Sequence, residues 1–185
     1  MIEIPVLMKK TKEYTNWTVD IYHIVAPLPQ TSFNELSGAD PGTTNLGLCL
    51  LFSMDDGEDK AILWQVKLQR FDNPVERMIL ATQIMNEFAA HNWNTKMMTI
   101  ENSAFGANYR QAELAEQRAT IAIWCVNHHY PVQMVVPMKI RKTVFGSGKI
   151  KAHEAWQLAG IPKNKQPNDA LAALSCAYYG MLKGE

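Results

Sequence analysis

Cysteines are few in this chain, and they are scattered. Cys49, Cys125 and Cys176 are the only three in 185 residues, each in an apolar setting and none in a C-x-x-C pair. That pattern argues against a disulfide framework or zinc site and reads as three buried free thiols. Long apolar runs are absent too: none approaches the roughly 20 residues that span a bilayer. The first residues lack the basic-then-apolar order of a signal peptide. The expectation is a soluble, cytoplasmic protein. Nor is there an excess of one charge, since 18 Lys and Arg balance 18 Asp and Glu. A polyanion-binding role would therefore require the cations to be concentrated locally. Repeats, linkers and low-complexity tracts are also missing, so one domain is expected at 35–185, preceded by residues 1–34 as an arm or extra strand.

The charges are in fact concentrated. Between residues 139 and 165, Lys139, Arg141, Lys142, Lys149, Lys151, Lys163 and Lys165 face only Glu154, a local excess of six positive charges. Acidic residues gather instead in the turn MDDGED at 54–59. One region can grip a polyanion while the other is a solvated hairpin tip.

Pattern and punctuation define the elements. LSGAD, NLGLCLLFSM and AILWQVKLQ read as a three-strand meander. NPVERMILATQIMNEFAAHN reads as a helix with Asn73 as N-cap and Pro74 at its first position, its apolar stripe at Val75, Met78, Ile79, Met85, Phe88 and Ala89. KMMTIENS follows as a buried strand, then a long helix around 109–129, the strand PVQMVVPM, a basic loop KIRKTVFGSGKI and two further helices. A meander followed by alternating helices and strands predicts an α/β fold with a mixed sheet covered on both faces.

Three carboxylates share one local setting. Asp40 in SGADPG, Glu101 in MMTIENS and Asp169 in QPNDALAAL each lie among apolar residues at the end of an element. Converging at one end of a sheet, they would repel and raise one another's pKa unless cations neutralised them. Oxygen donors of this kind suit Mg²⁺ or Mn²⁺. Two such ions about 3.5–4 Å apart can activate water and stabilise the leaving oxygen of a phosphodiester. His128 and His129, before Pro131, read as solvated residues at a helix end, and Trp64, Trp93, Trp124 and Trp156 as core or interface residues.

Four segments carry a family resemblance. GADPGTTNLGL resembles the first strand and turn of the RuvC-type Holliday-junction resolvases, a branch of the ribonuclease H-like nucleases. TIENSAFGANYRQAELAEQRATI is similar to the family's glutamate-ended strand, loop and helix, VVPMKIRKTVFGSGKIKAHEA to its basic loop, and PNDALAALSCAYYG to the helix that completes its site. The resemblance implies a ribonuclease H-like fold and hydrolysis of phosphodiesters in four-way DNA junctions. It implies Asp40, Glu101 and Asp169 as catalytic metal ligands, with two Mg²⁺ ions, replaceable by Mn²⁺, per site. Where the family usually has a further acidic residue or histidine stands Gln166, so the fourth ligand falls to Gln166 or Asn168. Lys151 is expected to stabilise developing charge, and Lys139, Arg141, Lys142 and Lys149 to hold DNA phosphates beside it. Phe105 and Tyr109, with Arg110 adjacent, are expected to meet unpaired bases at the junction.

A junction has two-fold symmetry and paired cleavage needs two sites, so a homodimer on branched DNA is implied. The interface is expected on the long helix, through Leu114, Ala115, Ile121, Ala122, Trp124 and Cys125. Two rival readings share these residues. DPGTTNLG also resembles the phosphate loop of actin-like and heat-shock ATPases, and Gln166 is compatible with a junction-binding protein whose site is degenerate.

Overall fold

The computed structural model describes residues 6–14, 17–27, 35–53, 59–68, 73–90, 95–102, 110–158 and 168–183. The meander forms as β3 (Leu36–Pro41), β4 (Asn45–Ser53) and β5 (Asp59–Lys67). Ahead of it, β1 (Val6–Tyr14) and β2 (Trp17–Pro27) pair antiparallel, and β2 pairs antiparallel with β5. Beyond β3, β6 (Met98–Glu101) and β7 (Val132–Val135) add in parallel. The sheet thus has seven strands in the order β1-β2-β5-β4-β3-β6-β7. The short loops between consecutive meander strands enforce antiparallel pairing, whereas the later strands arrive through helical crossovers and pair parallel.

Alternation within the strands supplies both faces with apolar groups. Leu46, Leu48 and Leu50 of β4, with Trp64 and Val66 of β5, pack in one core against α1 (Pro74–Ala89) and α2 (Arg110–Asn127). The intervening Cys49, Leu51, Ala61 and Leu63 pack on the opposite face against α5 (Asn168–Lys183) and Trp156 of α4 (Ala152–Leu158). Trp156 satisfies its indole by donating to Leu171 O at 3.2 Å and Ser175 Oγ at 3.1 Å. All three thiols are buried and free.

The start of α1 follows its sequence signals: the Asn73 side chain accepts from Val75 N at 3.0 Å, and Pro74 opens the helix. Its apolar stripe does not. The buried set is Arg77, Leu80, Ala81, Ile84, Met85 and Phe88, while Val75 and Ile79 are 57% and 46% exposed. Two overlapping apolar arcs exist on this helix, and the sheet takes the one centred on Leu80 and Ile84. Arg77 enters the buried arc because it pairs with Glu113 and Glu116 of α2, each at 3.2 Å.

Two further expectations change. The basic loop is helical over its first part, α3 (Pro137–Phe145), opened by a proline and closed by Gly146 at φ 76°. This run folds as a helix because Ile140 and Val144 pack with Val135, Cys176 and Tyr179, and Phe145 packs edge-on against Trp156. On α2, Ile121, Trp124 and Cys125 belong to the chain's own core, and the exposed large apolar residues are Ile123 and Val126. His128 and His129 are exposed beyond its end, with the His128 ring stacked on Trp124 at 4.1 Å.

Candidate active site

Sheet register brings two of the three carboxylates together. Ala39 of β3 pairs in parallel with Ile100 of β6, so the next residues, Asp40 and Glu101, emerge side by side on the face that α5 covers. Asn102 N donates to Val135 O at 2.8 Å and holds the end of β6 against β7. The third carboxylate arrives from above. Asp169 is the second residue of α5, and its backbone lies directly over Gly47, where an added Cβ would fall 2.1 Å from Asp169 O. Gly47 in turn pairs with Asp40. A comparable close approach at Gly38, where a Cβ would meet Ala173 O at 1.9 Å, lets the middle of α5 lie on β3. These two glycines set the height of α5, and so the position of Asp169.

The electrostatics follow from burial. Asp40 is pushed well above its ordinary carboxylate range by desolvation, then by the charges of Glu101 and Asp169, with Arg141 opposing. Glu101 is raised by burial, and Asp169 adds to the rise, while Arg141 and Arg118 hold it down. Arg141, half-buried on α3, therefore acts on both strand-end carboxylates. Beneath them Cys176 is fully buried, its thiol raised by burial and then by Glu101 and Asp40, so it stays protonated as part of the floor.

Of the remaining expected residues, Lys139, Lys142, Lys149 and Lys151 are exposed along α3 and the turn that follows. Arg141 is the cation whose charge acts on both Asp40 and Glu101. Asn168 is the exposed first residue of α5, and Arg110 is the first residue of α2. Gln166, Phe105 and Tyr109 lie outside the described residues, as do Lys163, Lys165, Trp93 and the turn 54–58.

Sequence reading missed three polar residues. Arg118, buried on α2, donates through Nε to Leu114 O at 2.9 Å and through Nη1 to Asn102 Oδ1, so it ties α2 to the residue after Glu101. Burial pulls its pKa down and Glu101 pulls it up. Asn102 is the second of the three. Gln65 is the other, 4% exposed in the middle of β5, where its amide meets Asp169 and Ala170. The signal for Gln65 was a lone amide inside the apolar run AILWQVK. For Arg118 it was a cation on the helix face that also carries Ile121 and Cys125.

The donor set consists of carboxylate oxygens, which fits a hard divalent cation and not a soft one. Such a cation would reverse the raised pKa values, because it favours the charged forms. Among the described residues, no group of three or more His, Cys, Asp or Glu side chains is gathered closely enough to hold an ion unaided. Retained waters are the usual remaining ligands of Mg²⁺.

Comparison with known proteins now bears on this geometry. The family model described as "Crossover junction endodeoxyribonuclease RuvC" matches residues 36–179. A curated protein of that description from Christiangramia forsetii is 22% identical over 156 residues, covering 80% of this chain and 81% of that one. The Thermus thermophilus RuvC structure superposes with a TM-score of 0.66 at 22% identity, over 82% of this chain and 95% of that chain. The same enzyme in complex with a Holliday junction substrate gives 0.66 at 18% identity over the same shares. The yeast mitochondrial Holliday junction resolvase gives 0.55 at 13%, over 83% of this chain and 82% of that one. These structural likenesses identify the fold, a ribonuclease H-like mixed sheet with helices on both faces.

Proposed function

The chain belongs to the RuvC family of crossover junction endodeoxyribonucleases, and from that premise we propose that it cuts four-way DNA junctions by paired, metal-dependent hydrolysis of phosphodiesters. The observation that carries this reading is the convergence of Asp40, Glu101 and Asp169 beside Arg141, inside the matched span. The match also separates the two phosphate chemistries read from DPGTTNLG and favours a DNA phosphate over that of a nucleotide.

In this reading Asp40, Glu101 and Asp169 hold divalent cations, Mg²⁺ in the cell with Mn²⁺ as a substitute, and Gln166 or Asn168 adds a weak ligand. Two bound ions would supply an activated water and stabilisation of the leaving oxygen. Asp40 and Glu101 stay ionised in their presence. Arg141 limits the repulsion between these carboxylates and faces the scissile phosphate. Lys139, Lys142, Lys149 and Lys151 align the flanking backbone, and Lys151 stabilises charge on the phosphate being cut. Phe105, Tyr109 and Arg110 engage the bases at the junction centre. The C-terminal unit, 35–185, contains the whole constellation, and β1 and β2 ahead of it extend its sheet.

A junction with two-fold symmetry calls for a second copy of the chain. We place it on the groove of about 490 Å³ between α1 and α2, lined by Val75, Met78, Ile79, Thr82, Ile123 and Trp124. Val75, Ile79 and Ile123 are 46–57% exposed there, and clustered exposed apolar side chains of this kind mark an interaction surface. The test is a cleavage panel of four-way, three-way, flap and linear DNA in Mg²⁺ and Mn²⁺. Symmetric paired nicks confined to the four-way junction are expected. Absence of metal-dependent nicking on every substrate, with junction binding intact, would reassign the protein as a junction binder.

A further inference from the structure

We propose that Gln65 is a positioning residue of this site: its amide orients the Asp169 carboxylate for a divalent cation and fixes the first turn of α5 on the sheet. The inference depends on the metal-dependent reading above.

One row of residues crosses three strands on the α5 face, since Asp40 pairs with Gly47 and Gly47 with Gln65. Residues paired in this way share a face, on strands about 4.8 Å apart. Asp169 lies over the middle of the row, above Gly47. Asp40 therefore flanks it on one side and Gln65 on the other. Gln65 Nε2 donates to Asp169 Oδ2 at 2.6 Å, and Gln65 Oε1 accepts from Ala170 N at 3.0 Å.

The second bond orients the first. A backbone N–H only donates, so the oxygen of the amide must face Ala170, and its NH₂ is left for the carboxylate. The Ala170 N–H is among the first four of α5, which have no partner within the helix. Gln65 satisfies it from a neighbouring strand. An aspartate in the first turn of a helix is otherwise free to rotate toward solvent. Donation to Oδ2 fixes it and leaves Oδ1 without a share in that bond. A donor is also the correct partner, because it occupies one carboxylate oxygen and leaves the other free to meet a cation. Partners of this kind outside the ligand shell typically govern metal affinity by about 10–100-fold. The cost of burying an amide in an apolar strand explains why both of its ends are bonded.

The experiment titrates Mn²⁺ onto DNA-free protein by electron paramagnetic resonance, and in parallel measures the Mg²⁺ dependence of junction nicking. Gln65→Met keeps the volume and removes both bonds. Gln65→Asn keeps the amide but withdraws it by one methylene, a milder change that guards against a folding defect in the first variant. Both are expected to weaken Mn²⁺ binding ~10–100-fold and to raise the Mg²⁺ concentration for half-maximal nicking, with the rate at saturating Mg²⁺ largely recovered and junction binding in Ca²⁺ unchanged. A purely structural role would lower the melting temperature while leaving the Mn²⁺ affinity of the folded protein at the parent value, and that result overturns the proposal. Failure of the parent itself to bind Mn²⁺ would instead bring down the metal-dependent reading, and this inference with it.

Discussion

The sheet has two faces, and they are built on different principles. Against α1 and α2 it presents Leu46, Leu48, Leu50, Trp64 and Val66, filled in by Leu80, Ile84, Phe88 and Trp124. Large side chains keep those helices at a normal packing distance. Against α5 it presents Gly38, Asp40, Gly47 and Gln65, residues that are small or polar. There the helix backbone touches the strands directly, and apolar packing resumes at Leu36, Cys49, Leu51, Ala61 and Leu63. The first face carries stability. The second gives up part of its packing so that a helix terminus can bring Asp169 beside two strand-end carboxylates.

The sharpest way to break this contrast is one substitution on each face. Asp40→Asn is expected to reduce junction cleavage by on the order of 10³-fold, several kcal/mol of transition-state stabilisation, with junction binding in Ca²⁺ retained. A nicking assay beside a binding gel checks both. Phe88→Ala, on the opposite face, should cost about 3–5 kcal/mol of stability in a denaturant melt, yet leave the rate per folded molecule near that of the parent. If Phe88→Ala abolished cleavage in the folded protein, the division between the faces would fail.

Gly47→Ala tests the close approach itself. Its methyl group has no space below Asp169, so α5 must lift, at about 1–3 kcal/mol or more of stability. A displacement near 1 Å would slow cleavage ~10²-fold. Both a chemical melt and a cleavage rate are read, and an unchanged rate would show that the height of α5 is not set there.

A smaller effect is expected from pH. Asp40 and Glu101 are held above their ordinary values, so without metal the native state keeps protons that the unfolded chain releases. That contribution to stability is complete below about pH 4 and is lost as pH rises through the raised values. In EDTA near neutral pH, Asp40→Asn should therefore melt at a higher temperature than the parent, and the gap should close toward acid pH. Added Mg²⁺ should stabilise the parent alone. A parent that melts higher than the variant in EDTA at neutral pH would contradict the raised carboxylates. Smallest of all, Lys151→Ala should flatten the log–log salt dependence of junction binding by about one unit, measured by titration at several salt concentrations. An unchanged slope would remove Lys151 from the DNA surface.

Much of this was legible along the chain. Alternation in NLGLCLLFSM and AILWQVKLQ fixed the meander, because a period of two places every second residue on one face. Asn73 and Pro74 marked the start of α1, because an N-terminus needs a side-chain acceptor and tolerates a missing N–H. Asp40, Glu101 and Asp169 stood out as carboxylates at apolar element ends. The buried arc of α1 was not legible, because Arg77 counts as polar until Glu113 and Glu116 neutralise it from another helix. Nor was α3, whose helix is held by Ile140 and Val144 packing on Cys176 and Tyr179, residues distant in sequence.

What the sequence determined by itself was local chemistry: which segments alternate, where helices begin, and which three carboxylates lie where a charge is costly. Only the tertiary structure decided their partners. Arg141 is the cation acting on two of them, Gln65 clamps the third, and Gly47 allows that third carboxylate to arrive. The physical reason is separation along the chain. Gln65 and Asp169 are 104 residues apart, and no local pattern records a hydrogen bond that exists only after strand register and helix height have been set.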